Sequence, residues 1–249
     1  MSTAHSLPGL LAAGLISTTL LAGCSGSEEE DAPAPAASSS AEETAEEPAV
    51  SDLAAGLLPA EAFGPDATVV SVSPEQLSQG AGIAAAAEGA EIQPEECRAA
   101  VEGTQPDLED FADVAAQSAS LGASTTVQML VRGGPLEDVV VQLEQAAERC
   151  PQAQITLPGV GQAALTFENL PVDDLGDGAA VVRSAVVVAG PDGTQTSIPT
   201  LVGAVEDGDR LLLLLTIVAD PSQPGGSADP AAFTALLAQA YETQADALD

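Results

Sequence analysis

Apolar and polar positions alternate through much of the second half of the chain. Ser124 to Arg132, Gly161 to Asn169, Ala179 to Gly190, Thr194 to Glu206 and Arg210 to Val218 are rich in β-branched residues and predict strands. Pro191-Asp192-Gly193 and Glu206-Asp207-Gly208-Asp209 join consecutive apolar runs, which predicts antiparallel hairpins. Helical spacing takes over elsewhere. Pro135 to Cys150 places Leu136, Val139, Val140, Leu143, Ala147 and Cys150 on one helical face. At the C-terminus Asp229 can cap a helix with Pro230 in its first position, and Phe233, Leu236, Leu237, Ala240 and Tyr241 follow at helical intervals. Upstream, the pattern predicts a short helix over Asp52 to Phe63, a strand over Ala67 to Ser73, and helices over Pro74 to Glu88, Pro94 to Gly103 and Asp107 to Ser120. Together these pieces predict an α+β domain. Its helices cover one face of a mostly antiparallel sheet, and the long last helix packs across it.

The N-terminus follows a different logic. Leu7 to Ala22 is apolar but broken by Pro8, Gly9 and Gly14, too short to span a bilayer comfortably, and it ends in small residues before a cysteine. It reads as a signal peptide, although Met1 to Ser6 carries only His5 where Lys or Arg is usual, so the signal is atypical or the start lies elsewhere. Leu21-Ala22-Gly23-Cys24 resembles the lipobox of bacterial lipoproteins, which implies cleavage before Cys24 and a diacylglycerol on its thiol. Acyl chains contribute about 0.8 kcal/mol per buried methylene, so two or more anchor a protein where one holds it only marginally. Ser25 to Ser51 alternates acidic clusters with Ala, Pro and Ser and offers little to bury, as expected of a solvated spacer. The expected organisation is a signal at 1–23, a lipidated Cys24 with a disordered acidic tether at 24–51, and one extracytoplasmic domain at 52–249. The location is then the outer face of the cell membrane.

Charge narrows the partners. The 38 acidic residues face five arginines and no lysine, for a net charge of −33. Nucleic acid is excluded as a natural partner, and an anionic membrane surface repels the body, so the lipid on Cys24 has to supply attachment. The surplus otherwise reads as solubility. The core must be aliphatic, because Trp is absent, Tyr241 is the single tyrosine and there are four phenylalanines.

With Cys24 assigned to lipid, Cys97 and Cys150 remain. Two thiols in an oxidising compartment are most economically a disulfide, the alternative being two separate buried thiols. Both fall on apolar helical faces, so the bridge would staple two helices by their buried sides. His5 leaves with the signal, and a mature chain without His or Lys cannot run a His-dependent triad, a His metal site, Schiff-base chemistry or a P-loop. A carboxylate-pair glycosidase would want aromatic platforms that this chain lacks. The reading is therefore non-enzymatic, and no cofactor is implied. Asp173, Asp174 and Asp177, and separately Asp207 and Asp209, sit in Gly-containing loops where a hard cation is chemically conceivable, but the spacing fits no EF-hand and Asp is common at turns for backbone reasons. No metal site is expected. Arg183 lies inside an apolar strand, either paired with a carboxylate or placed to anchor an anionic head group, and Tyr241 reads as a core residue with its hydroxyl at a rim. These two are the candidate ligand-binding residues.

Pro94-Glu95-Glu96-Cys97 opening a helix, a second cysteine at 150, hairpin strands ending in Gly208-Asp209-Arg210 and a leucine run, and a closing amphipathic helix resemble actinobacterial lipoproteins related to the extracellular sensor domain of the PknH receptor kinase. The resemblance covers about Asp52 to Asp249. It implies an antiparallel sheet flanked by helices and a cleft for a ligand, and the kinase member's two disulfides reduce here to one. No binding residue carries over. The leading expectation is a membrane-anchored, sensor-like binding module for a small molecule, envelope component or protein. The alternative is a carrier of lipid within the envelope, which would need a large dry cavity.

Overall fold

The computed structural model describes residues 51–77, 90–98, 108–136, 138–157, 161–189, 194–220 and 228–248. Cys24, the tether over 24–50 and the turn Pro191-Asp192-Gly193 lie outside them, as do residues 78–88 and 99–103 of the stretches 74–88 and 94–103 expected to be helical. Glu47 to Asp249 forms one compact unit.

Among the described residues nine strands build one sheet: β1 (Thr68–Val72), β2 (Glu91–Gln93), β3 (Asp113–Leu121), β4 (Ser124–Arg132), β5 (Gln152–Leu157), β6 (Gly161–Leu170), β7 (Gly178–Ala189), β8 (Gln195–Asp207) and β9 (Arg210–Val218). Their order across the sheet is β1-β3-β4-β9-β8-β7-β6-β5-β2, and every neighbouring pair is antiparallel. Among the described residues two long helices pack on it, α1 (Val139–Arg149) and α2 (Pro230–Leu248), and residues 74–77 are also helical. The β8–β9 hairpin closes through Gly208-Asp209, with Gly208 at a φ of +61° that favours glycine.

The helices occupy opposite faces, which corrects the expectation of one covered face. Residues alternate along a strand, and β8 separates them plainly. Leu201 and Val205 belong to the cluster that contains Phe233 and Leu237 of α2, whereas Ala204 belongs to the cluster that contains Val140 of α1. This explains the leucine run in β9. A central strand covered on both sides reads as a continuous apolar stretch, and Leu211 faces the α1 cluster while Leu212 and Leu214 face the α2 cluster.

Two further corrections concern strands. The stretch 107–120, rich in alanine, was expected to be helical, but only Leu108–Asp110 makes a helical turn and Asp113–Leu121 is β3. Helix propensity loses here to pairing on both sides, with β1 and β4. Small side chains suit the site, since Ala115, Ala116 and Ala119 are buried. β5 and the short β2 were not expected at all, although Gln152-Ala153-Gln154-Ile155-Thr156-Leu157 alternates strictly.

Asp52 to Phe63 is not one helix but two 3-10 turns, Asp52–Gly56 and Ala60–Phe63, flanking an extended Leu57-Leu58-Pro59. This segment straps the α2 face of the sheet. Leu53 and Leu58 are buried in the α2 cluster. Among the described residues no strand pairs with the strap's backbone, and two side chains serve instead: Leu58 N–H donates to Gln128 Oε1 (2.9 Å), and Gln117 Nε2 donates to Leu58 C=O (2.9 Å) and to Gln128 Oε1 (2.8 Å). Gln117 and Gln128 face each other across β3 and β4 and are buried, which makes a carboxamide clamp in an apolar setting. Gln128→Leu would strand the Leu58 N–H without its acceptor, at a cost of about 1 to 3 kcal/mol. Urea unfolding should show that loss, and hydrogen exchange at Leu58 should accelerate more than exchange in β8. Arg132 ties the start of the strap by donating to Asp52 (2.5 Å) and Asp113 (2.9 Å). The hydrogen bond from Arg132 holds the Asp52 carboxyl below its ordinary range and Arg132 itself above its own.

Cys97 and Cys150 form the expected disulfide, Cα to Cα 5.3 Å. It does not join two described helices: Cys97 ends the turn Glu95–Cys97 after β2, and Cys150 caps the end of α1. Around it Ile92, Ala153 and Leu165 make a small core of their own at the sheet's far edge.

Candidate ligand-binding groove

The position of α2 creates the site. Asp229 Oδ1 accepts from Ala231 N–H (3.0 Å) and Ala232 N–H (3.4 Å), fixing the helix start as the sequence predicts. The core side of the helix carries Phe233, Leu237, Ala240 and Gln244, all buried. Gly203 of β8 lets it approach, for a Cβ there would stand 2.9 Å from Leu237 Cδ2 and 3.1 Å from Phe233 Cε1. A neighbouring stripe of the helix, Ala232, Ala235, Leu236 and Gln239, faces a groove of about 320 Å³, with Leu236 also packing against the core.

The opposite wall comes from the strap and the β3–β4 hairpin. Ala62 and Phe63 contribute from the second turn of the strap, Ala119 and Leu121 from the end of β3, and Ser124 and Thr126 from the start of β4. Alanine at four of the lining positions leaves the space that larger residues would fill. The lining is apolar with three polar side chains, Ser124, Thr126 and Gln239, and no ionisable one. Thr126 Oγ1 is 2.8 Å from Thr216 Oγ1, so that hydroxyl is held from behind. The volume lies at the low end of small-molecule sites, which run from about 300 to 1,000 Å³. A second, smaller hollow of about 150 Å³ borders the same helix, lined by Pro171, Val172, Asp173, Leu175, Thr234 and Ala238.

The residues singled out in the sequence fall elsewhere. Arg183 is exposed and pairs with Glu168, its direct neighbour across β6 and β7. A pair this open contributes between about 0 and 1 kcal/mol, so Arg183→Gln should shift the urea midpoint little. Tyr241 is half-buried against the core beneath α2. Neither lines the groove. Of the loop carboxylates, Asp177 Oδ2 accepts from Gly208 N–H (2.8 Å) in the β8–β9 turn 31 residues away, and Asp207 Oδ2 accepts from Arg210 (2.7 Å) within that turn. Glu206 Oε1 accepts from Val140 N–H (3.0 Å) and so serves the start of α1 from a neighbouring hairpin. Among the described residues no group of three or more His, Cys, Asp or Glu could hold a metal ion, and no helix is long and apolar enough to cross a membrane.

The groove residues come from four separate segments and form no motif. The one signal available beforehand was the spacing of Ala232, Ala235, Leu236 and Gln239, a second stripe beside the core stripe of α2.

No family model matches the chain, and no curated protein matches it. Among solved structures it is similar to an uncharacterized protein of Mycobacterium smegmatis, the ortholog of Rv0999, at 16% identity over 78% of this chain and 96% of that one, with a TM-score of 0.49. It is also similar to the extracellular domain of PknH from Mycobacterium tuberculosis, at 9% identity over 77% of this chain and 94% of the other, with a TM-score of 0.41.

Proposed function

We propose that the chain is an extracytoplasmic lipoprotein, held to the outer face of the cell membrane through Cys24, whose domain binds a ligand in the groove beside α2 without acting on it chemically. The groove's lining carries this reading. It offers shape, alkyl surface and three polar side chains, but no acid, base or thiol to run a reaction. The buried disulfide supports an oxidising compartment, and Leu21-Ala22-Gly23-Cys24 supports the anchor. A module is favoured over a lipid carrier because the groove is small and not enclosed, whereas a carrier has to enclose its cargo.

Membrane fractionation of the host, followed by intact mass of the extracted protein, tests the anchor. The expected chain begins at Cys24 with a diacylglycerol adduct, and Cys24→Ala moves the protein out of the membrane fraction. A membrane-bound Cys24→Ala protein would contradict it.

A further inference from the structure

Resting on the groove as the binding site, we propose that its ligand is a small amphiphile with an apolar tail and a cationic head, of the kind a lipid amine presents. Three observations lead there. The lining is alkyl on the helix and strap walls, so the buried part of the ligand is a hydrocarbon segment. None of the lining residues is ionisable, so a charged group on the ligand would have to stay outside. The surroundings of the groove then choose its sign.

Every ionisable residue next to the lining in sequence or on the same helix side is acidic. Glu61 precedes Ala62 on the strap and is exposed. Glu242 is exposed one turn beyond Gln239 and two turns beyond Ala235, on the same side of α2. Asp229 stands at the helix start. The five arginines are elsewhere: Arg132 sits at the other end of β4 with Asp52 and Asp113, Arg183 is with Glu168 and Arg210 with Asp207, Arg149 ends α1, and Arg98 follows the turn that holds Cys97. The chain as a whole, at a net charge of −33, repels an anionic head and attracts a cationic one. The size of the cavity suits one tail and is short for an extended peptide.

The absence of tryptophan from the chain makes the test direct. Phe63→Trp in the full chain puts a single indole at the groove wall, to be titrated with decyltrimethylammonium, decyl maltoside and decyl sulfate below their micelle concentrations, and calorimetry on the unsubstituted chain repeats the series. The ammonium probe should bind about fivefold more tightly than the maltoside at low salt, and the sulfate more weakly than either. Glu61→Gln with Glu242→Gln should narrow the gap between the ammonium and maltoside affinities while leaving the maltoside affinity unchanged. Ala235→Phe, at an exposed position that no core residue depends on, should abolish binding of all three. Equal affinities for the three probes would overturn the cationic head yet leave the groove as the binding site. Binding that survives Ala235→Phe would overturn the groove itself, and no binding by any probe would overturn the amphiphile.

Discussion

Removing the Cys97–Cys150 bridge with paired alanine substitutions should lower the unfolding free energy by about 4 kcal/mol in the chain-entropy model, given the 53-residue separation of the two cysteines. That is a large share of the roughly 5 to 15 kcal/mol by which domains are stable. The consequences should be uneven. The loop closed by the bridge contains β3 and β4, which are also held by partners on both sides. β2, by contrast, is three residues long, lies at the sheet edge and pairs only with β5. In the reduced protein β2 and the turn after it should therefore exchange amide hydrogen first, while β8 and β9 keep their protection until global unfolding. Urea titration of oxidised and alanine-substituted chains measures the size, and a loss below about 1 kcal/mol would mean that the small core of Ile92, Ala153 and Leu165 holds this edge unaided. The same result bears on compartment, because a domain that depends on the bridge is weakened wherever thiols stay reduced.

Leu237→Ala should cost about 2 to 5 kcal/mol. Leu237 is wholly buried and rests on Gly203, with Phe233 beside it. The substitution opens a cavity under the middle of α2, the element that also forms one wall of the groove. Gly203→Ala alone should be destabilising too, since its Cβ would press on Leu237 Cδ2 at 2.9 Å. Combined, the two should cost less than their sum, because the methyl that Gly203→Ala adds enters the space that Leu237 vacates. A double-mutant cycle by urea unfolding measures this coupling. Strict additivity would mean that α2 shifts along the sheet rather than holding its place.

Strongly patterned elements were legible in the sequence. β4 and β9 fall where alternation and the leucine run place them, α2 starts at its cap, and the Cys97–Cys150 pairing follows from cysteine count and compartment. What escaped depends on contacts far apart in the chain. β3 looked helical because its alanines favour helix locally, and only pairing with both β1 and β4 makes it a strand. The second covered face escaped because Val140 and Ala204, which meet on it, are 64 positions apart in the numbering of the chain. Gln117 and Gln128 read as surface residues in isolation, yet they clamp the backbone of Leu58 some 59 and 70 residues away. The groove escaped for the same reason. Six of its ten lining positions are alanines or hydroxyl residues, whose meaning lies in what they leave unfilled.

Binding in the groove is the central claim, and native mass spectrometry of the protein released gently from its host envelope tests it most directly. The chain should carry a stoichiometric noncovalent adduct that is absent from the Ala235→Phe variant prepared in the same way. The same adduct occupancy in the two proteins, whether full or nil, would contradict it.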